Sequence, residues 1–82
     1  MTYSYTPRGV CAQRMDLDIE DGIIRSAKIY GGCNGNLQGI CRLVEGRSTD
    51  EVIGLLKGIR CGFRPTSCPD QLATALELSK EG

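Results

Sequence analysis

Between Cys11 and Glu20 the chain alternates: odd positions read Cys, Gln, Met, Leu and Ile, and even positions Ala, Arg, Asp, Asp and Glu. A period of two is that of a strand with one face buried and the other in water. Asp21-Gly22 follows at once, and then Ile23-Ile24-Arg25-Ser26-Ala27-Lys28-Ile29-Tyr30. The chain must therefore build a β-hairpin whose apolar face needs a cover. A three-residue loop, Glu20-Asp21-Gly22, with Gly22 in the left-handed position, pairs Ile19 with Ile23 and Met15 with Ala27, and carries Cys11 opposite Gly31. Apolar meets apolar in that register, whereas a two-residue loop sets Asp16 against Ala27. Tyr3 and Tyr5, alternating with Thr2, Ser4 and Thr6, predict a further short strand ended by Pro7-Arg8-Gly9.

After the hairpin the period changes to that of a helix. Leu37, Ile40, Cys41 and Val44 share one face and Gly46 stops the run, so Cys33, in Gly31-Gly32-Cys33-Asn34-Gly35-Asn36, directly precedes this first helix. Ser48-Thr49-Asp50-Glu51 has the form of a capping box, and Val52, Ile53, Leu55, Leu56 and Ile59 follow as one apolar stripe. A loop from Arg60 to Ser67 holds Cys61, Gly62 and Pro65. Ser67-Cys68-Pro69-Asp70 then opens a third helix, with Leu72, Ala75 and Leu76 on its buried face. The order βββααα predicts a single α+β domain over residues 1–82, a three-stranded antiparallel sheet with helices packed on one face.

Charge and composition narrow the function. Ten Lys+Arg balance ten Asp+Glu with no His. No overall field draws the chain to nucleic acid or to an anionic membrane, and no apolar run is long enough to span one. Without His, the Ser-His-Asp and Cys-His arrangements and every zinc motif that uses an imidazole are excluded. The start, Met1 to Arg8, lacks a basic region followed by an apolar one, so a cytoplasmic location is expected. Five cysteines in 82 residues then stand out. In a reducing compartment such usage reads as metal-binding or catalytic before it reads as a disulfide scaffold, and an odd number cannot all pair within one chain.

Position separates the cysteines. Helix N-termini present unpaired N–H groups and the positive end of the helix dipole, which favour an anionic thiolate, and Cys33 and Cys68 are both expected there. Cys11 begins a strand whose partner leads into Cys33, and Cys61 lies in a Gly/Pro loop free to fold back. Four thiolates, Cys11, Cys33, Cys61 and Cys68, are what a structural zinc site or an iron–sulfur cluster requires. Thiol redox chemistry and plain packing are the competing readings. Cys41 is in register with Leu37 and Val44 and is assigned to the core. The glycine-rich turn could cradle a phosphate, but it lacks the Gly-Lys-Ser/Thr of a P-loop. Lys57, Arg60 and Arg64 around Cys61 read as a solvated charged face.

Thr66-Ser67-Cys68-Pro69-Asp70 spells out the TSCPD domain, and the chain resembles that family over nearly its whole length. Gly9-Val10-Cys11, Asp21-Gly22, Gly31 to Leu37, Gly58-Ile59-Arg60-Cys61-Gly62 and Thr66 to Ala73 carry the resemblance. It implies the same four cysteines as the site, with Cys41 outside it. The same domain ends vitamin-B12-dependent ribonucleotide reductases, which implies a protein partner of that kind and, as an alternative function, thiol redox relay through Cys61 and Cys68 or nucleotide binding in deoxynucleotide synthesis. A chain this short cannot hold the radical barrel of such an enzyme, so no activity is expected of it alone. Tyr30-Gly31-Gly32-Cys33, Gly46 to Glu51 and Cys68 are also similar to the U-type iron–sulfur cluster scaffold.

Overall fold

The computed structural model describes residues 2–10, 12–31, 34–60, 62 and 65–81, with Asn34 and Glu81 described by their backbone alone. Three strands, β1 (Thr2–Tyr5), β2 (Ala12–Glu20) and β3 (Ile23–Gly31), precede three helices, α1 (Asn34–Val44), α2 (Thr49–Leu56) and α3 (Cys68–Glu81). The strands form one antiparallel sheet in the order β1-β2-β3. This is the α+β arrangement that the two periodicities predict.

The hairpin register differs from the expected one, and the reason is local. Asp21 and Gly22 both lie in the left-handed region, with φ of 53° and 74°, so the turn has two residues and Glu20 pairs with Ile23. Positive φ at both central positions is the type I′ geometry whose twist matches that of the strands. Left alone, this turn would set Asp16 against Ala27. Instead the register shifts by one between Asp18 and Ile19, where β3 carries Arg25 as an extra residue. Beyond that bulge Leu17 pairs with Ala27 and Met15 with Ile29, so apolar residues still face one another. A second shift at Gln13 turns Ala12 to the buried side, 5% exposed, and pairs it with Gly31, the position expected for Cys11.

Met15, Leu17 and Ile19 of β2 and Ile24 and Ala27 of β3 make the floor of the core. Cys41 and Val44 of α1, Val52 of α2, and Leu72, Ala75 and Leu76 of α3 pack onto it, with Tyr3 and Tyr5 at its edge. The opposite face of the sheet is polar: Asp16 accepts from Ser4 Oγ at 2.8 Å and pairs with Arg14, whose guanidinium lies over the Tyr30 ring.

Helix ends follow their sequence signals. Ser48 accepts the Glu51 N–H at 3.1 Å as the N-cap of α2, and Gly46 follows α1. The link between these helices lies against the hairpin, with Ile24 N–H donating to the Arg47 carbonyl at 2.9 Å and Thr49 N–H to the Gly22 carbonyl at 2.8 Å. The stripe expected through Ile59 stops sooner. Lys57 is extended and Gly58 takes φ 88°, a conformation open to glycine, which ends α2 at Leu56 and leaves Ile59 outside it. Leu55, expected on the buried stripe, is 62% exposed.

Candidate functional site

The first turn of α3 and the residues before it gather most of the buried polar side chains among the described residues, Ser67, Asp70 and Gln71, beside Thr49 and Ser79 elsewhere. Ser67 is buried. Its Oγ accepts the Asp70 N–H at 3.2 Å as a helix cap and donates to the Ile59 carbonyl at 2.6 Å. Asp70 Oδ1 accepts the Gly58 N–H at 2.7 Å, and Oδ2 accepts from Thr66 Oγ1 at 2.5 Å. These two bonds, with smaller help from Lys57 and Arg60, hold the Asp70 carboxyl below the usual carboxylate range. Gln71 Oε1 accepts from the Tyr5 hydroxyl at 2.8 Å and the Arg8 N–H at 3.1 Å, while its Nε2 donates to Thr66 Oγ1 at 3.0 Å. Among the described residues no buried side-chain nitrogen or oxygen lacks a partner.

Within the motif, then, the polar side chains of Thr66, Ser67 and Asp70 are committed to holding the chain together. Cys68 is a free, half-buried thiol between them. It lines a cleft with Ser67, Pro69 and the α1 residues Gly35, Asn36, Leu37 and Ile40. Gly9 packs on the motif at Thr66, where a Cβ would meet Thr66 Cγ2 at 3.1 Å, and Gly9 itself takes φ 73°. The positive φ favours glycine at that position, and a side chain there would also have to displace the Thr66 methyl by a few tenths of an ångström.

Of the four cysteines the sequence singles out, Cys68 is described as expected, as the first residue of α3. Cys11, Cys33 and Cys61 lie outside the described residues, as does Arg64, and among the described residues no three candidate metal ligands gather. Gly9, Gly35 and Ile59, each two residues along the chain from one of those cysteines, all border the head of α3. Lys57, read as part of a solvated charged face, bonds Glu77 at 2.7 Å and Thr74 at 3.1 Å across to α3.

Cys41 is in the core as its spacing predicts, 8% exposed beneath β3, and burial pushes its thiol up. The sequence marks Asp70 as a helix-start residue and carries Thr66 and Gln71 only within the family motif, with no role assigned to either side chain. The available signal was polar residues on the inner side of an otherwise apolar helix, since Gln71 directly precedes Leu72 and Ala73, both fully buried.

The fold and this site define a class: a small α+β domain whose last helix opens on a free cysteine inside a satisfied polar network. The family model of the TSCPD domain matches residues 1–80, and the chain belongs to that family. No curated protein and no solved structure gives a significant match. No helix among the described residues is long and apolar enough to cross a membrane.

Proposed function

We propose that this chain is a small metal-binding accessory domain in which Cys11, Cys33, Cys61 and Cys68 together hold one zinc ion or, alternatively, an iron–sulfur cluster. The observation that supports this reading is the position of Cys68 among the approaches to the other three. Gly9 packs on Thr66, Gly35 shares the Cys68 cleft and the Ile59 carbonyl is held by Ser67. Each of these anchors is two residues along the chain from its cysteine, a reach of at most about 7 Å. The donor set fits: a free thiol in a sequence without His calls for sulfur-rich coordination, suited to tetrahedral zinc or to a cluster. Bound zinc would cross-link both sheet and helices and contribute directly to folding. The partner in this reading is a larger enzyme of the ribonucleotide reductase kind, which the family resemblance supplies.

Elemental analysis of protein purified without air tests the proposal. One zinc per chain, or iron with acid-labile sulfide, is the expected result. Cys11→Ser, Cys33→Ser, Cys61→Ser and Cys68→Ser each lower the metal content, while Cys41→Ala leaves it unchanged. Equal metal loss from Cys41→Ala, or unchanged stoichiometry in any two of the others, overturns the ligand set. Protein that carries no metal and in which iodoacetamide labels Cys61 and Cys68 rapidly favours the redox relay instead.

A further inference from the structure

The polar cluster at the head of α3 has a direction. Tyr5 O–H donates to Gln71 Oε1, Gln71 Nε2–H to Thr66 Oγ1, and Thr66 O–H to Asp70 Oδ2. Each group uses its donor on the next, so the orientation of the Gln71 amide and the Thr66 hydroxyl is set by the chain as a whole. Two backbone N–H groups from outside the helix complete it, Arg8 on Gln71 Oε1 at 3.1 Å and Gly58 on Asp70 Oδ1 at 2.7 Å. An acidic residue in a first helical turn ordinarily serves its own helix. Asp70 instead spends both oxygens on partners beyond the helix, one of them twelve residues away in sequence. Asp70 and Gln71 are both nine-tenths buried, so these bonds are partly shielded from water.

We infer that Asp70 and Gln71 are positioning residues which act as a clasp: Gln71 draws the segment leading into Cys11, through Arg8, and Asp70 draws the segment leading into Cys61, through Gly58, onto the turn that carries Cys68. This rests on the four-cysteine reading of the site. Gln71 and Asp70 are adjacent on one helix and joined through Thr66, so the two segments are held to a common reference. A metal centre built from separate places in the sequence needs such a reference, because the chain between ligands cannot supply it.

The test uses the full chain, reduced and metal-free, exposed to limiting oxidised glutathione, with the disulfides of Cys68 mapped by mass spectrometry. Exchange through a mixed disulfide joins two cysteines that reach each other and releases glutathione as thiol. Wild type is expected to form both Cys61–Cys68 and Cys11–Cys68. Asp70→Ala should lose mainly the first and Gln71→Leu mainly the second, and Asp70→Asn, which keeps an acceptor for the Gly58 N–H, should restore most of the first. General loosening of the fold would not produce that crossed pattern. Cobalt(II) affinity, read from its thiolate charge-transfer band, should fall about tenfold or more in Asp70→Ala and Gln71→Leu, as is typical for partners beyond the ligand shell.

If both variants lower both disulfides alike, if neither changes them, or if wild type forms neither, the clasp is overturned. Should Asp70→Ala not fold by circular dichroism, Gln71→Leu still reads the clasp by losing Cys11–Cys68 while keeping Cys61–Cys68, and loss of both or of neither overturns it. The crossed pattern in the two variants, with a wild type that binds no metal, keeps the clasp and removes the four-cysteine reading. Metal affinity that is normal in wild type and unchanged in both variants does the reverse.

Discussion

Ser67 is a single hydroxyl joined to two parts of the chain. It caps α3 through the Asp70 N–H and fastens the segment after α2 through the Ile59 carbonyl. Ser67→Ala removes both bonds and leaves a buried carbonyl short of a partner. A cost of about 1–2 kcal/mol follows from the cap alone with a modest addition for the carbonyl. In a domain of this size that lowers the melting temperature by about 4–8 °C per kcal/mol, measurable by thermal denaturation. Asp70, three residues further along the motif, predicts a pH dependence. Its folded pKa lies below the ordinary value, so its contribution to stability is complete above about pH 4 and is lost as the pH falls through the unfolded value of about 3.9 and on through the lower folded one. Urea denaturation between pH 6 and the acid limit should therefore show a steeper loss below about pH 4 in wild type than in Asp70→Asn, which has no proton to take up there. Parallel curves would contradict the role given to the Thr66 and Gly58 bonds.

The β2–β3 hairpin depends on two compensating irregularities. Its turn needs positive φ at Asp21 and Gly22, and the Arg25 bulge undoes the change of face that this turn imposes. Nothing lies within 4 Å of where a Cβ at Gly22 would stand, so the cost of Gly22→Ala is conformational rather than steric. It should be about 1–2 kcal/mol, and Gly22→Asn should lose much less, because Asn tolerates the left-handed region. Chemical denaturation of the two variants checks that ranking. Helix α2 is decided in the same way by its end: Gly58 terminates it and at the same time donates its N–H to Asp70. The stop signal for one helix is thus the tether for the next.

For the whole molecule the question is whether the core suffices. Among the described residues its largest fully buried side chains are Met15, Leu17, Ile24, Leu72, Leu76 and Val52, none of them aromatic. A domain of this length gains limited stability from such a core. If the four-cysteine centre is structural, removal of its metal by a chelator under reducing conditions should lower the melting temperature steeply, since structural zinc supplies on the order of 10 kcal/mol in the smallest domains. The loss should begin at milder chelator concentrations at pH 6 than at pH 8, where protons compete less for the thiolates. Metal-free, reduced protein that melts with the purified form would show that the α3 network and the core hold the fold unaided.

The element order, the single sheet with its helical cover, the caps at Ser48 and Ser67 and the core place of Cys41 were all legible in the sequence. Each is set by neighbours a few residues apart, through alternation, helical spacing or a cap. The hairpin register was not, because apolar pairing can be met by more than one combination of turn and bulge, and the choice depends on strand twist. The end of the α2 stripe was missed because Gly58 sits inside an apolar pattern that reads straight through it. Least legible was the network of Tyr5, Arg8, Gly58, Thr66, Asp70 and Gln71. Its members lie up to 66 residues apart in sequence. No local pattern links a hydroxyl on the first strand to an amide on the last helix. Only folding brings them together, and once buried they must satisfy one another, which is how tertiary structure decides what surrounds Cys68.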